Sequence, residues 1–250
     1  MRIARRKSLF YALIYTGILS IFLIPLYMYF SHDVERLKDE FPHPVFKNAD
    51  ITFELKKSAP KNWVRLREIS KYARWAIVLS EDWSFYQHQG IDVEQIKVAV
   101  NEMFEERRFR GASTITQQMV KNVYLSEERS LWRKFHEIIL AQKVERVLTK
   151  ERILEIYLNC IEFGPGIYGI RQASSHYFRK SPSTITPKEA AFLAMLLPSP
   201  KRYYISFKRK KLTRFASARI NAILVKMRMG KVLTPVQFEE QRVSRLSWEK

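Results

Sequence analysis

Between Ser8 and His32 the chain carries no Asp, Glu, Lys or Arg, and Leu9 to Phe30 is almost wholly apolar. About 20 such residues cross a bilayer as a helix, and inside hydrocarbon a helix satisfies its own backbone polar groups. Pro25 and Gly17 are tolerated in a membrane helix. Arg2, Arg5, Arg6 and Lys7 precede the run, so the positive-inside rule keeps the short tail in the cytoplasm and sends the rest of the chain across. A cleaved signal would have a shorter apolar region followed by a small-residue cleavage site; here Ser-His-Asp-Val-Glu-Arg-Leu-Lys follows instead. The predicted organisation is a cytoplasmic tail over 1–8, a transmembrane helix over 9–30, a stalk or linker over 31–60 that also forms the first strap of the domain, and one folded domain over 61–250.

That domain is large enough to bury a proper core. Its periodicity is helical. Leu66, Ile69, Ala73, Ala76 and Ser80 recur at helical spacing in a segment that ends at Glu81. Asp92 reads as the N-cap of a helix through Phe104 with Val93, Ile96, Val100 and Phe104 on one face. Ser126 with Glu127 and Glu128 reads as a helix start. A helix from Leu131 to Leu148 follows, with Leu131, Phe135, Ile138 and Ile139 expected inward. Lys150 to Cys160 continues as helix, Thr186-Pro187-Lys188-Glu189 is a capping box, and a further helix is expected around Ala216–Met229. Strand-like alternation is scarce, Ile51 to Leu55 being the best case. The predicted class is mainly α.

The charge balance narrows the partners. There are 44 Lys and Arg against 25 Asp and Glu, a net +19, which favours polyanions: nucleic acid, an anionic membrane surface or phosphorylated substrates. With the domain outside the cytoplasm, nucleic acid is not expected. The single cysteine, Cys160, excludes an internal disulfide and reads as a packing residue.

Three formal motifs fail on context. Gly164, Gly166 and Gly169 spell G-x-G-x-x-G but follow a helix and contain Pro165, so they mark a tight turn and not a dinucleotide site. Ser58-x-x-Lys61 lacks the partner motifs of a penicillin-binding nucleophile. No His-Glu-x-x-His spacing supports zinc. His88 reads as a satisfied core histidine before it reads as an orienting group.

What remains is chemistry for an oxygen-rich anion. Gly111 to Asn122, G-A-S-T-I-T-Q-Q-M-V-K-N, is dense in hydroxyls and amides and carries one ammonium. Glu81 ends a helix inside E-D-W-S-F-Y-Q-H-Q-G, where aromatic neighbours can raise a carboxylate's pKa toward general acid or base work. Arg133 and Glu137, four apart, share a helix face. Two glutamates with Lys121, Arg129, Arg133 and Lys134 nearby suggest sugar chemistry with an anionic leaving group.

Four ordered motifs carry a resemblance: Glu81-Asp82-x-x-Phe85-x-x-His88-x-Gly90; Gly111-x-Ser113-Thr114-Ile115-Thr116-Gln117-Gln118-x-x-Lys121-Asn122; Arg133-Lys134-x-x-Glu137; and Lys150-x-x-Ile153-Leu154-Glu155-x-Tyr157-Leu158-Asn159. In order and spacing the chain resembles the peptidoglycan glycosyltransferases of family 51 over roughly residues 60 to 200. No transpeptidase motif follows Pro200, so the likeness is to the monofunctional form. The segment after Pro200 is unusually basic for it.

The resemblance implies a lysozyme-like, two-lobed helical domain with a cleft, on the outer face of the bacterial cytoplasmic membrane. It implies polymerisation of lipid II into β-1,4-linked glycan strands, with inversion and release of undecaprenyl diphosphate. Glu81 then matches the base for the acceptor's 4-hydroxyl, and Glu137 the second glutamate, on the donor side. Ser113, Gln117, Gln118, Lys121, Asn122, Arg129, Arg133 and Lys134 are expected to bind substrate, with Asp82, Phe85, His88 and Gly90 supporting. Mg²⁺ or Mn²⁺ is the candidate cofactor, with no organic cofactor. The implied partners are lipid II, the growing strand, the bilayer and other cell-wall synthesis and division proteins. A lysozyme-like glycan hydrolase and a non-catalytic cell-wall scaffold are the alternatives.

Overall fold

The computed structural model describes residues 14–249 apart from 18, 25, 29–31, 48–49, 106–112, 126–127 and 129. The described residues between 14 and 28 are helical, and Tyr15, Ile21, Phe22 and Tyr27 stand exposed. Among the described residues no helix is long and apolar enough to cross a membrane; much of the run expected to span it lies outside them.

The described part of the segment read as stalk and first strap packs against the domain. A 3-10 helix, Val34–Lys38, is capped by the Asp33 carboxylate and buries Val34 and Leu37 completely. Strands β1 (Phe41–Lys47) and β2 (Asp50–Lys56) pair antiparallel. β2 is the strand expected from alternation; β1 escaped that reading because Pro42 and Pro44 interrupt it. Both prolines have the same parity in the register, opposite Leu55 and Phe53. A ribbon of two strands can therefore turn their missing N–H groups away from the ladder. Arg152 fastens this segment to the domain, donating to the carbonyls of Leu37 at 3.0 Å and Glu40 at 2.8 Å.

The helices then follow in order: α1 (Lys71–Glu81), α2 (Val93–Glu105), α3 (Ile115–Tyr124), α4 (Leu131–Val147), α5 (Lys150–Cys160), α6 (Ile170–Phe178), α7 (Pro187–Leu196), α8 (Pro200–Tyr203), α9 (Ile205–Lys208), α10 (Arg214–Met229) and α11 (Pro235–Val243). The hairpin β3 (Glu162–Gly164) to β4 (Ile167–Tyr168) is the turn its glycines signalled. The starts are local chemistry: Ser70, Thr114, Ser130, Thr149, Thr186, Thr213 and Thr234 each accept a backbone N–H from the first turn. The N-cap of α4 is thus Ser130, whereas Ser126 and Glu127, expected to start a helix, lie outside the described residues.

α7 is buried all round and packs on α1 and α10, while α3 packs on α4 and α5. A continuous hydrophobic cluster joins the two groups through Ile77, Met119, Leu140, Ile153, Tyr157 and Phe192. The inward face of α4 differs from expectation. Leu131 is 90% and Phe135 41% exposed, and the buried stripe is Glu137, Leu140, Ala141 and Val144. A charged residue occupies the inward stripe, so an apolar count selects the wrong face.

Candidate active site

Glu81 is the last residue of α1, at the helix end set by Asp82 as C-cap. Its Oε2 accepts a hydrogen bond from Gln118 Nε2 at 3.0 Å and its Oε1 one from Ser80 Oγ at 3.4 Å. Gln118 is itself held, because Tyr157 donates its hydroxyl to Gln118 Oε1 at 2.9 Å from a fully buried ring. Burial raises the Glu81 carboxyl above its ordinary pKa, and the donated bonds and the charges of Arg219 and Lys226 only partly oppose it. Such an environment suits a carboxyl to general acid or base work.

Asp82 has a different task. It is buried, and its carboxylate accepts from the backbone N–H of Ile115 at 2.9 Å and from His88 Nε2 at 2.9 and 3.1 Å. His88 Nδ1 accepts from Gly90 N at 3.1 Å, which places the ring proton on Nε2. Gly90 lies flat against α4: a β-carbon there would meet the Ala141 backbone at 3.0 Å. Its carbonyl accepts from Thr114 Oγ1 at 2.7 Å. The turn after Glu81 is thereby tied to the first turn of α3. Phe85 is fully buried beneath it, with the Lys150 ammonium 4.5 Å from its ring centre. These four supporting residues act through geometry.

The second glutamate reaches the same place from the other side. Glu137 is 3% exposed; Arg133 Nη1 donates to its Oε2 at 2.7 Å and Lys134 Nζ contacts its Oε1. Lys134 also donates to Ser113 Oγ at 3.0 Å, immediately before the α3 cap. Both glutamates therefore converge on the start of α3, Glu81 through Gln118 and Glu137 through Lys134. Arg133 Nε is buried without a hydrogen-bond partner among the described residues.

The remaining expected site residues divide. Lys121 is exposed and Asn122 half-buried on α3. Arg129, with Gly111, lies outside the described residues. Gln117 is turned inward: it is 2% exposed and its amide oxygen accepts from Thr114 N at 3.0 Å, completing the capping box. It builds the helix start and does not line the surface. Gln118 serves Glu81.

Sequence reading missed three features. Tyr157, behind Gln118, lay in a motif without an assigned task. Glu145 gathers Thr116 Oγ1 and Lys150 Nζ on α4, two turns beyond Glu137; its signal was only the helical spacing. Arg219 and Lys226 act on Glu81 from α10, and nothing local in the sequence announces that. In the fourth motif, Glu155 accepts from Trp63 Nε1 and Leu66 N, and Asn159 bridges the backbone of Val64. Both are fastenings.

Among the described residues no three His, Cys, Asp or Glu side chains are grouped to hold a metal ion. Both oxygens of Glu137 are engaged by cationic side chains. Among the described residues this donor set does not fit Mg²⁺ or Mn²⁺ as a resident ion.

Residues 48–228 match the family model described as Transglycosylase. A "Biosynthetic peptidoglycan transglycosylase" of Shewanella denitrificans is 47% identical over 152 residues, 60% of this chain and 66% of that protein. One of Nitrosomonas eutropha is 42% identical over 142 residues, 56% of this chain and 58% of that protein. The chain thus spans about three fifths of the length of these curated relatives. With the family model covering all four motifs and both glutamates, this chain belongs to the transglycosylase family.

Proposed function

We propose that the chain is a peptidoglycan glycosyltransferase that polymerises lipid II into β-1,4-linked glycan strands. The observation that carries this reading is the convergence on one helix start of a carboxyl with raised pKa, Glu81, and a cation pair, Arg133 and Lys134. Glu81, ionised, removes the proton of the acceptor sugar's 4-hydroxyl. That oxygen forms the new bond to the donor's anomeric carbon from the face opposite the diphosphate, the bond to the diphosphate breaks, and the configuration inverts. The diphosphate leaves as an anion and needs charge stabilisation more than a proton. Arg133 and Lys134, with Lys121 and Arg129, supply it. Ser113 and Asn122 contact donor oxygens, Glu137 holds its two cations in position, and Gln118 orients Glu81. No step is routed through a metal.

The N-terminal apolar run is proposed as a single-pass anchor in the bacterial cytoplasmic membrane with the domain on the outer side. Its support is the uncharged stretch from Ser8 to His32 and the exposed helical residues within it. A lipid-linked anionic substrate then meets a strongly cationic enzyme in the plane of the bilayer. Other cell-wall synthesis and division proteins are proposed partners.

The test is polymerisation of purified lipid II by wild type and by Glu81→Gln, with products resolved on a gel. Wild type forms strands and folded Glu81→Gln forms none. Shortening of preformed strands by wild type would instead indicate a hydrolase, absence of any product from wild type a scaffold, and strands from both proteins a different base.

A further inference from the structure

We propose that the join between the N-terminal helix and the folded domain is a proton-sensitive clasp, closed while two facing histidines are neutral and released when both take up a proton. Three side chains of the domain hold the backbone between Met28, in the N-terminal helix, and Val34, where the 3-10 helix begins. His136 of α4 has its Nε2 3.1 Å from the Met28 carbonyl oxygen. Lys143, two turns further along α4, donates to the His32 carbonyl at 2.8 Å, and Tyr124 of α3 donates its hydroxyl to the Asp33 carbonyl at 3.4 Å. The His32 ring packs on two others, 5.0 Å from that of Tyr124 and 5.1 Å from that of His136 between centres. None of these four side chains stands at a specified position of the four motifs.

The geometry favours neutral rings. A carbonyl oxygen only accepts, so His136 carries its proton on Nε2, and the neutral tautomer is enough for the bond to Met28. Burial lowers the pKa of both histidines, and His136 and the Lys143 ammonium lower that of His32 further. Hydrogen bonds with the backbone of Tyr124 and of Met28 oppose this only in part. The other charged groups around the join are engaged. Asp33 caps the 3-10 helix through Glu35 N, Arg36 pairs with Glu40 at 2.6 Å, and Glu137, next to His136 in α4, is held by Arg133 and Lys134. Burial keeps the Tyr124 hydroxyl neutral, and the described residues between 14 and 28 bring no Asp, Glu, Lys or Arg.

Two imidazolium rings in this contact would repel each other and the Lys143 ammonium. Released into water, each histidine titrates near its ordinary pKa of about 6.5. The clasp is therefore at full strength above that pH and weakens as the pH falls below it, by up to about tenfold per pH unit for each proton taken up. The consequence reaches the candidate site through one element, because α4 carries Arg133, Lys134 and Glu137 as well as His136 and Lys143. A closed clasp fixes the angle between α4 and the N-terminal helix; an open one leaves the domain tethered to that helix by chain alone. The clasp itself does not depend on the activity proposed above.

The test is a distance measurement that needs no turnover, made on the full chain in detergent micelles. Cys160 is buried with its thiol pKa raised, so spin labels go to two introduced cysteines at exposed positions, Phe22→Cys on the N-terminal helix and Arg146→Cys on α4. Pulsed electron paramagnetic resonance should give one narrow distance distribution at about pH 7.5 and a broad one at about pH 5, with the closed population at least about tenfold lower. Far-ultraviolet circular dichroism should stay unaltered over the same range. In His32→Gln with His136→Gln neither position titrates, and glutamine at 136 keeps an N–H for the Met28 carbonyl, so the distribution should not change with pH. His43→Gln, in β1, should broaden with acid as wild type does. A wild-type distribution that is broad at neutral pH, or that stays narrow in acid, would overturn the proposal. So would broadening in the double variant equal to that of wild type, or broadening that accompanies loss of helix.

Discussion

Glu81 illustrates how a site is made at the cost of stability. Burial favours its neutral form, and the raised pKa means that folding at neutral pH must keep a partly desolvated charge. The stabilising contribution of such a group is complete below the unfolded carboxylate pKa and is lost as pH rises through the folded value. Glu81→Gln should therefore melt above wild type at pH 7, the two converging toward pH 3; calorimetry across that range checks the sign. Gln118 works in the opposite direction, since its bond to Glu81 Oε2 favours the charged form. Tyr157→Phe removes the hydroxyl that orients Gln118, a loss of about 1 kcal/mol of interaction. The acid limb of the pH profile for lipid II polymerisation should move upward, with kcat reduced several-fold and the fold intact. A limb that stays in place would separate Gln118 from the base. At this scale the two glutamates and the cations were legible, because their residue types and spacings are chemical. Gln117 was not: its task in the capping box appears only when Thr114 is seen as a helix start.

Among elements, the β3–β4 hairpin and α2 give contrasting cases. Gly166 and Gly169 both have positive φ, +72° and +80°, but a β-carbon at 166 meets nothing while one at 169 would lie 2.6 Å from the Asn159 carbonyl oxygen. Gly166→Ala should cost about 1 kcal/mol from conformation alone. Gly169→Ala adds a clash with the end of α5 and should cost roughly 3 kcal/mol or more in urea unfolding. α2 leaves Val93 at 56%, Ile96 at 37% and Val98 at 40% exposure; Val100 and Phe104, expected on its apolar face, lie beyond the side chains described. As part of a lipid-facing lobe, α2 should tolerate Ile96→Asp in the fold but lose affinity for anionic vesicles about tenfold. Unaltered vesicle binding, measured by flotation, would remove α2 from the membrane surface. The helices ending at Glu81 and Cys160, and those at Val93–Glu105, Leu131–Val147, Pro187–Leu196 and Arg214–Met229, were readable from caps and periodicity, whereas Ile115–Tyr124, Ile170–Phe178 and Pro235–Val243 were not. The inward face of α4 was not, because Glu137 is buried with Arg133 and Lys134 as partners and pattern counting has no means of crediting a paired charge.

For the whole molecule, sequence by itself determined the mainly helical class, the capping box at Thr186, the tight turn at the glycines and the pairing of Glu137 with Arg133. Each of these follows from interactions within a turn or two of chain, or from residue chemistry that survives in any fold. Tertiary structure decided the rest. It fastened Leu37 and Glu40 to Arg152, brought Arg219 and Lys226 of α10 within electrostatic reach of Glu81, and set Tyr157 behind Gln118. It also gave motif residues such as Asp82, Glu155 and Asn159 the task of fastening one segment to the next. The physical reason is separation along the chain. Those contacts join segments tens to well over a hundred residues apart, and only burial of the shared core around α7, with satisfaction of the polar groups it covers, fixes which distant segments meet.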